Sequence, residues 1–390
     1  MVRFAHMADC HLGGWKQPEL QELNLESFRR AINISIQEKV EFIIIAGDLF
    51  DSAYPPIEIL KEAFYILSNA KKANIPCYII AGSHDYSVSG KTFLDVLEKS
   101  GFCINVHQQT EDDSKVDLTP TYHEDKVAFY GYPGRKAGME VEAVQRIQLQ
   151  PSTAPLNMLL LHTTLEFVKG NLPIEAVDQS QLPKTDYAAL GHIHVVRSHE
   201  HYHYPGPTFP NNFQELEDLH HGGFYIVDLV SGQQLKMVRY DLPIKKVKSF
   251  NIEIRNAMEA TALILKELQQ HDLQDTIVLL RLRGKLTEGK NSDIRFDQID
   301  QYLKEQKVYC YLKNTSEIKT PESDVHIEKI DSMENVEQEI IASFEDQKQS
   351  DFNKFIPALI NTLSIEKKED ERSAIFEQRL LSELKTIIPL

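Results

Sequence analysis

The chain has 390 residues, 42% of them hydrophobic, which is enough for a sizeable core spread over two domains and an appendage. Its formal net charge of −16 argues against a protein that simply coats nucleic acid. The sequence has neither an apolar run near about 18 residues nor a charged-then-apolar leader, so we expect a cytoplasmic protein that does not cross a membrane.

Five apolar, β-branched runs predict buried strands in the first half of the chain. They are VRFAHMA, EFIIIA, CYIIA, NMLLL and YAAL. Amphipathic segments lie between them at Asn24–Lys39, Ile57–Lys72 and Lys91–Lys99, and Glu111–Asp117 is predicted to be a charged surface loop. Alternating strands and helices of this kind predict an α/β layered domain.

A cluster of carboxylate or imidazole residues follows each of these runs. Because ligands bind beyond the carboxyl ends of strands in an α/β sheet, we expect the clusters to share one crevice. Side chains at i and i+2 of an extended segment point the same way, so each D-x-H or H-x-H pair can hold one metal ion. Two ions about 3.5–4 Å apart are the arrangement that assists phosphoryl displacement. The clusters are Asp9-Cys10-His11, Gly47-Asp48, Gly82-Ser83-His84-Asp85, His162 and Gly191-His192-Ile193-His194.

The run from His199 to His203 invites a third metal site. Its alternation, leading into Tyr204-Pro205-Gly206, better fits a solvent-facing strand and turn.

A smaller unit follows a predicted boundary near residue 240. Its basic Arg281-Leu282-Arg283 stretch places two guanidinium groups on one face of a strand, as phosphate contacts require, although an ordinary solvated face has the same pattern. Lys285 belongs to the same basic cluster. The predicted elements are strand Val247–Ile254, helix Ala257–Gln270, strand Thr276–Leu282, helix Arg295–Glu305 and strand Val308–Asn314.

The last sixty or so residues contain two amphipathic segments separated by a dense charge run. With so little core of its own, a helix–loop–helix must bury its apolar stripes elsewhere, on a partner or on this chain's second domain. The stripes are Phe352, Phe355, Ile356, Leu359, Ile360 and Leu363, then Phe376, Leu380, Leu384 and Ile387.

In its clusters the chain resembles the calcineurin-like metallophosphoesterases, whose pattern is D-x-H, G-D, G-N-H-D, H and G-H-x-H. Within that superfamily it is similar to the nuclease subunit of the DNA double-strand-break repair complex, the Meiotic Recombination Eleven or SbcD family, in its archaeal form. The narrower resemblance depends on the early start at Asp9, the GDLF-D run at Gly47–Asp51, the YPGPTF stretch at Tyr204–Phe209 and the C-terminal extension.

This resemblance implies an α/β fold: a two-sheet sandwich flanked by helices, a small α/β capping domain and a C-terminal helical pair. We place them at residues 1–240, 241–330 and 331–390. In the family the capping domain covers the cleft and contacts DNA, and the helical pair grips the coiled-coil base of an SMC-like ABC ATPase. The family also implies a homodimer formed through the nuclease domain, DNA ends and hairpins as substrates, and association with the nucleoid.

The resemblance also assigns roles within the clusters. One ion is held by Asp9, His11 and His194, the second is lined by His162, His192 and Ser83, and Asp48 bridges the two. His84 is a non-ligand imidazole that assists the leaving oxygen, and Asp85 orients it. Oxygen and imidazole ligands suit Mn²⁺ best, with Mg²⁺, Fe or Zn²⁺ as lesser alternatives.

Two positions depart from the family pattern. Ser83 stands where G-N-H-D has an amide, so the second ion is expected to be held loosely or through water. Asp51 stands where archaeal nucleases often carry a His that steers DNA strands into the site, so the resemblance makes Asp51 a candidate for DNA contact. Its arrangement resembles that of bacterial SbcD and leaves the balance of exonuclease and endonuclease activity open. We therefore keep two rivals: another metallophosphoesterase (phosphatase or phosphodiesterase), and a weakly catalytic scaffold for the ATPase.

Overall fold

A computed structural model describes the chain at residues 1–86, 92–112, 114–170, 173–232, 234–319, 355, 358–359, 362, 365 and 373–387. Within these ranges, each helix is too short or too polar to span a membrane. The predicted partner-binding residues Phe352, Ile356 and Leu363 lie outside the described residues.

Eighteen strands are present in the described ranges. In chain order they are β1 (Val2–Met7), β2 (Phe42–Ala46), β3 (Cys77–Ile80), β4 (Ile104–Asn105), β5 (Gln109–Glu111), β6 (Val116–Leu118), β7 (Thr121–His123), β8 (Val127–Tyr132), β9 (Ile147–Leu149), β10 (Leu156–His162), β11 (Tyr187–Gly191), β12 (Val196–His199), β13 (Tyr202–Pro205), β14 (Gly222–Leu229), β15 (Lys236–Leu242), β16 (Lys246–Glu253), β17 (Thr276–Lys285) and β18 (Cys310–Lys319).

Nine α-helices accompany them in the same ranges, with 3₁₀ turns at Lys136–Gly138, Gln179–Gln181 and Asn291–Asp293. The α-helices are α1 (Pro18–Gln37), α2 (Ile57–Lys72), α3 (Leu94–Lys99), α4 (Val141–Gln145), α5 (Glu166–Lys169), α6 (Phe213–Leu219), α7 (Ala257–Leu268), α8 (Phe296–Glu305) and α9 (Ser373–Ile387).

Two six-stranded sheets form the main body, in the orders β15-β14-β1-β2-β3-β4 and β12-β13-β11-β10-β8-β7. Their facing sides share one core, in which Phe42 of the first sheet contacts Phe129 of the second with ring centroids 5.2 Å apart. Helices α1 and α2 cover the other side of the first sheet through residues such as Phe28 and Ile66. The predicted two-sheet sandwich flanked by helices is confirmed.

The central strands of both sheets are parallel, which brings their carboxyl ends to common edges. β1, β2 and β3 run parallel in the first sheet, and β8, β10 and β11 run parallel in the second. All five apolar runs form strands, and each strand ends at or just before its polar cluster. The sequence predicted five strands, each followed by a polar cluster, and the structure contains all five.

The chain divides into two compact units. One comprises Met1–Ile252, Leu263–Arg281 and Phe296–Asn314; the other comprises Glu253–Ala262, Leu282–Arg295 and the described residues from Thr315 onward. The strands β16, β17 and β18 form a three-stranded sheet in that order. The first part of β17 packs in the first unit, where its Ile277 and Leu279 share a core with Trp15 and Phe209. The predicted boundaries near residues 240 and 330 stay predictions.

Two local predictions are wrong in part. An exposed loop does join β5 to β6 at Asp112 and Ser114, but the predicted loop Glu111–Asp117 is too long, because Glu111 ends β5 and Asp117 lies in β6 and is largely buried. The predicted solvent-facing strand at His199–His203 is instead a hairpin in which β12 is exposed and β13 is buried. In both places a charged or imidazole-rich run includes residues of a fully buried strand, β6 in the first case and β13 in the second.

Candidate metal centre

The clusters at the strand ends lie on tight turns. Asp9, His11, Asp48 and His192 have φ angles of 51°, 44°, 47° and 95°, a region that residues other than glycine seldom adopt. Backbone hydrogen bonds hold these turns together, with His11 N donating to Asp48 O at 2.9 Å. The pairs therefore converge through left-handed turns, and the expectation of extended D-x-H and H-x-H segments is wrong. Backbone strain of this kind gathers at functional sites.

One cluster, which we call the first-ion site, consists of Asp9, His11 and His194. Each of the three offers a ligand atom within 4.8 Å of the others. The two Nε2 atoms of His11 and His194 are 3.0 Å apart. Asp9 Oδ1 accepts a hydrogen bond from His192 N at 2.8 Å, while its buried Oδ2 has no hydrogen-bond partner among the described residues. An orphaned carboxylate oxygen beside two imidazoles fits a divalent cation.

A second cluster lies beside it, formed by Asp9, Asp48 and His162 within the same 4.8 Å. His162 Nδ1 donates to the carbonyl of Ala46 at 3.0 Å, which turns its Nε2 toward Asp48. His192 stands next to it with ring centroids 5.1 Å apart, and Ser83 and His192 line the adjoining cleft. We call His162, His192 and Ser83 the second-ion site.

Asp48 lies between the two sites. Its Oδ2 is 3.0 Å from His162 Nε2 and 3.6 Å from His11 Nε2, while Oδ1 accepts a hydrogen bond from His84 N. Burial would raise the pKa of Asp48, but the imidazoles of His162 and His11 lower it well below its usual range. A permanently ionised carboxylate between two sets of imidazoles has the position that a bridging ligand needs.

The imidazoles titrate differently in the metal-free protein. Burial acts to lower the pKa of His162 and of His194, but Asp48 raises the first to about 10 and Glu215 raises the second to about 9. Burial and the neighbouring His162 lower the pKa of His192 to about 4. Two of the three rings thus carry a proton at neutral pH that a bound cation displaces.

His84 is half exposed at the mouth of the centre. Its ring meets His11 edge-on at 4.8 Å, and its Nδ1 donates to the backbone oxygen of Asp51 at 2.9 Å. Since His84 also lies within 4.8 Å of ligand atoms on His11 and Asp48, its role as a non-ligand stays a prediction.

Asp85 has a different task from the predicted one. Its buried carboxylate accepts hydrogen bonds from the backbone N–H groups of Gly82, Leu49 and Phe50 at 2.9, 3.2 and 3.0 Å. Among the described residues the ring of His84 is oriented by Asp51 O instead. Asp85 therefore ties the loop after β3 to the loop after β2.

Two carboxylates stand behind the first-ion site. Glu215 Oε1 is 2.8 Å from His194 Nδ1, and Asp51 Oδ1 is 3.1 Å from His11 Nδ1. Sequence reasoning missed Glu215 altogether and assigned Asp51 to DNA contact. The spacing Asn212-x-x-Glu215 is a signature of a helix start, and Asn212 does cap α6. That signal locates the helix but carries no information about His194.

A cleft of about 920 Å³ opens over the centre. Its lining includes Ser83, His84 and His192, together with Arg135 and Tyr54. A cation and an aromatic ring beside metal-ligating groups suit a ligand that carries both phosphate and an aromatic base.

The predicted DNA-contacting residues differ in exposure. Arg281 is buried, and its Nη2 lies 2.7 Å from both Glu217 Oε2 and Gln214 Oε1 of α6. Arg283 and Lys285 are exposed. Arg281 is therefore held in an internal ion pair, and only the other two have side chains placed at the surface.

Comparison with known proteins gives two kinds of match. Residues 2–204 match the calcineurin-like phosphoesterase family. The DNA double-strand break repair protein Mre11 of Methanopyrus kandleri is 29% identical over 250 residues, covering 59% of this chain and 55% of that protein. Its counterpart in Methanosarcina acetivorans is 26% identical over 323 residues, covering 77% of this chain and 48% of that protein. The chain thus spans about half the length of these two curated relatives.

A third relative is bacterial. The uncharacterized metallophosphoesterase YhaO of Bacillus subtilis is 30% identical over 250 residues, covering 59% of this chain and 58% of that protein.

Proposed function

Because the chain belongs to the calcineurin-like phosphoesterase family, we propose that it is a two-metal DNA nuclease that hydrolyses phosphodiester bonds at double-strand breaks. The observation that carries the proposal is the pair of ligand clusters sharing Asp9. The names of the archaeal relatives supply the substrate class, because each is called a double-strand break repair protein.

The site residues form two sets, one for each cation. Asp9, His11 and His194 would hold one cation, His162, His192 and Ser83 would face the other, and the carboxylate of Asp48, between the two sets, would be shared by both. Two divalent cations, when bound, supply Lewis-acid polarisation of the phosphate and an activated water.

His84 acts on the leaving group. Its Nδ1 must carry hydrogen because it faces the carbonyl of Asp51, so Nε2 is left for the substrate. As an imidazolium, with its second proton on Nε2, it donates that proton to the leaving oxygen or stabilises the negative charge that develops there. Arg135 and Lys136 on the cleft wall attract the phosphates that flank the reacting bond.

Mn²⁺ is the proposed cation. The ligand set contains carboxylate, imidazole and hydroxyl groups, and the free Cys10 within the first cluster is buried with its pKa raised by burial, so thiolate ligation is not offered. A set of hard and borderline ligands of this kind favours Mn²⁺ over metals that select sulfur.

The remaining partners follow from the same proposal. Arg283 and Lys285 contact DNA from the capping domain, the nuclease domain forms a homodimer, and the C-terminal helices bind an SMC-like ABC ATPase. Support for the last point comes from α9, in which none of the described side chains is buried and Leu381 is 56% exposed.

The direct test compares substrates with the purified chain and Mn²⁺. A labelled hairpin and a linear duplex should be degraded, whereas p-nitrophenyl phosphate should be hydrolysed poorly. An Asp48→Asn variant purified in parallel should be inactive, which excludes a contaminating nuclease. Fast phosphomonoester hydrolysis with intact DNA would contradict the proposal and favour a phosphatase.

A further inference from the structure

The imidazoles of the two metal sites have different groups behind them. In the first-ion site, His194 Nδ1 faces the carboxylate of Glu215 and His11 Nδ1 faces the carboxylate of Asp51. In the second-ion site, His162 Nδ1 faces a neutral carbonyl, that of Ala46. The ring of His192 has no hydrogen bond among the described residues.

The two backing carboxylates are themselves joined. Asn211 donates its backbone N–H to Glu215 Oε2 at 2.8 Å and its side-chain amide to Asp51 Oδ1 at 3.2 Å. The side chain of Asn212 donates to Glu215 Oε1 at 2.6 Å. Glu215 is thus fixed at the start of α6, and Asp51 is fixed in the loop after β2. Neither carboxylate is free to turn away from its imidazole.

A carboxylate behind a ligating imidazole has two effects. It fixes the tautomer and orientation of the ring, and it raises the basicity of the nitrogen that binds the cation. It also adds negative charge near the cation. Four carboxylates, Asp9, Asp48, Asp51 and Glu215, therefore surround the first-ion site, while the second shares only Asp48 and Asp9 and includes the weak hydroxyl ligand Ser83.

We propose that Glu215 and Asp51 are positioning residues that orient His194 and His11 and make the first-ion site the tighter of two unequal metal sites. One cation is then resident, while the second exchanges with the surroundings and sets the metal requirement of the reaction. The proposal rests on the metal centre of the proposed function and not on its DNA substrate.

The test measures Mn²⁺ binding to the metal-stripped full chain by titration calorimetry, without DNA. The wild type should bind one Mn²⁺ at least tenfold more tightly than the second. Glu215→Gln keeps the side-chain volume. Glutamine, like glutamate, is common three residues after the N-cap of a helix, so the start of α6 should be preserved. It should weaken the tight site by about 10–100-fold and leave the weak site within about twofold.

The matched control is Glu217→Gln, on the same helix and equally buried but paired with Arg281 rather than with His194. It should leave both affinities unchanged. Asp51→Asn, in a different loop, should repeat the effect of Glu215→Gln and guards against a variant that fails to fold. Ser83→Ala should change only the weak site.

Two equal affinities in the wild type would overturn the proposal, as would Glu215→Gln and Asp51→Asn proteins that melt normally and bind both cations as before. Failure of DNA cleavage with unequal sites intact would instead contradict only the proposed function.

Discussion

His84 and Ser83 are neighbours in the chain, but we expect their substitution to change different properties of the metal centre. His84 is half exposed with its ring held by a backbone carbonyl, whereas Ser83 stands in the lining of the cleft beside His192. Substituting the first should affect the chemistry, and substituting the second should affect metal affinity.

His84→Ser should retain both cations and lose nearly all hydrolysis. The reason is that the imidazole acts on the leaving oxygen, and general acid catalysis contributes about 10²–10⁴-fold. Metal content by mass spectrometry, measured beside the rate of duplex degradation, checks this. A variant that loses a cation would identify His84 as a ligand, as its place beside His11 and Asp48 also permits.

Ser83→Asn should tighten the second cation, because an amide oxygen reaches further and donates more strongly than a hydroxyl. The concentration of Mn²⁺ that gives half-maximal hydrolysis should fall, while the maximal rate stays within a few-fold. Ser83→Ala serves as the control in the opposite direction. An unchanged Mn²⁺ requirement in both variants would mean that Ser83 does not contact the cation.

At the scale of elements, α6 is held from two sides. Glu215 on one side of the helix contacts His194, and Gln214 and Glu217 contact Arg281 of β17. The ring of Phe213 lies 5.0 Å below the guanidinium of Arg281. This helix therefore joins Arg281 of β17 to the predicted metal ligand His194 within the first unit.

Arg281→Ala should lower the free energy of unfolding by about 3 kcal/mol, because it leaves Glu217 with an unpaired, largely buried charge. Arg283→Ala, two residues further along the same strand, should change it by less than about 0.5 kcal/mol. Urea denaturation of both variants measures the difference.

For DNA affinity we expect the opposite order of the two variants: Arg283→Ala should have a larger effect than Arg281→Ala. The exposed Arg283 should be needed for phosphate contact, so its removal should weaken duplex binding and reduce the salt slope by about 1. If Arg283→Ala bound DNA like the wild type, its assignment to the DNA surface would be wrong.

The β12–β13 hairpin carries a pH dependence of its own. His203 is buried, its Nδ1 lies 3.0 Å from Ser198 Oγ, and its ring stacks on Tyr187 at 4.6 Å, near the buried His6. Burial, with a contribution from His201, lowers the pKa of His203 to about 4. The unfolded chain therefore takes up a proton below pH 6.5 that the folded chain refuses, and stability falls as the pH drops toward 4.

His203→Gln should remove part of that loss. Between pH 7 and pH 5 the wild type should lose about 2 kcal/mol more unfolding free energy than the variant. The exposed His199→Gln should lose as much as the wild type. Equal losses in all three proteins would show that His203 does not carry the effect.

The sequence predicted elements better than contacts. Helix α2 was predicted with its observed bounds and the five site strands lie within one residue of theirs, because periodicity marks them. The bounds of α1 and β18 were predicted less well: α1 begins six residues before its predicted segment, and β18 ends five residues beyond its predicted end. The burial of Arg281 and the contact of Glu215 with His194 could not be predicted. Both join residues distant in the chain, and no local pattern records which strand or helix a side chain will meet.

At the scale of the whole molecule, the proposed ATPase contact of the C-terminal segment can be tested at α9. Phe376→Asp with Leu380→Asp should abolish capture of the ATPase's coiled-coil base, since apolar hot spots cost about 2 kcal/mol or more when lost. Gln378→Asp adds a charge to an exposed position of the same helix and should leave capture intact.

A thermal melt of the free chain tests whether the apolar side of α9 faces a partner or packs on its own chain. An unchanged midpoint in the Phe376 and Leu380 double variant agrees with a surface that faces a partner. An intact complex with a lowered midpoint would show that the helix packs on its own chain.

The first-ion site joins residues far apart in the chain: the contacts from Asp9 to His192 and from His11 to His194 each span 183 positions. During translation, the ribosome therefore needs roughly ten to forty seconds, at about 5–20 residues per second, to reach His192 and His194 after it has added Asp9 and His11. Until His194 has been synthesised, the nascent chain holds only a partial set of ligands. Metal loading is thus confined to a late stage of synthesis or to the finished protein, and cation starvation should yield a folded apoprotein that can be loaded afterwards.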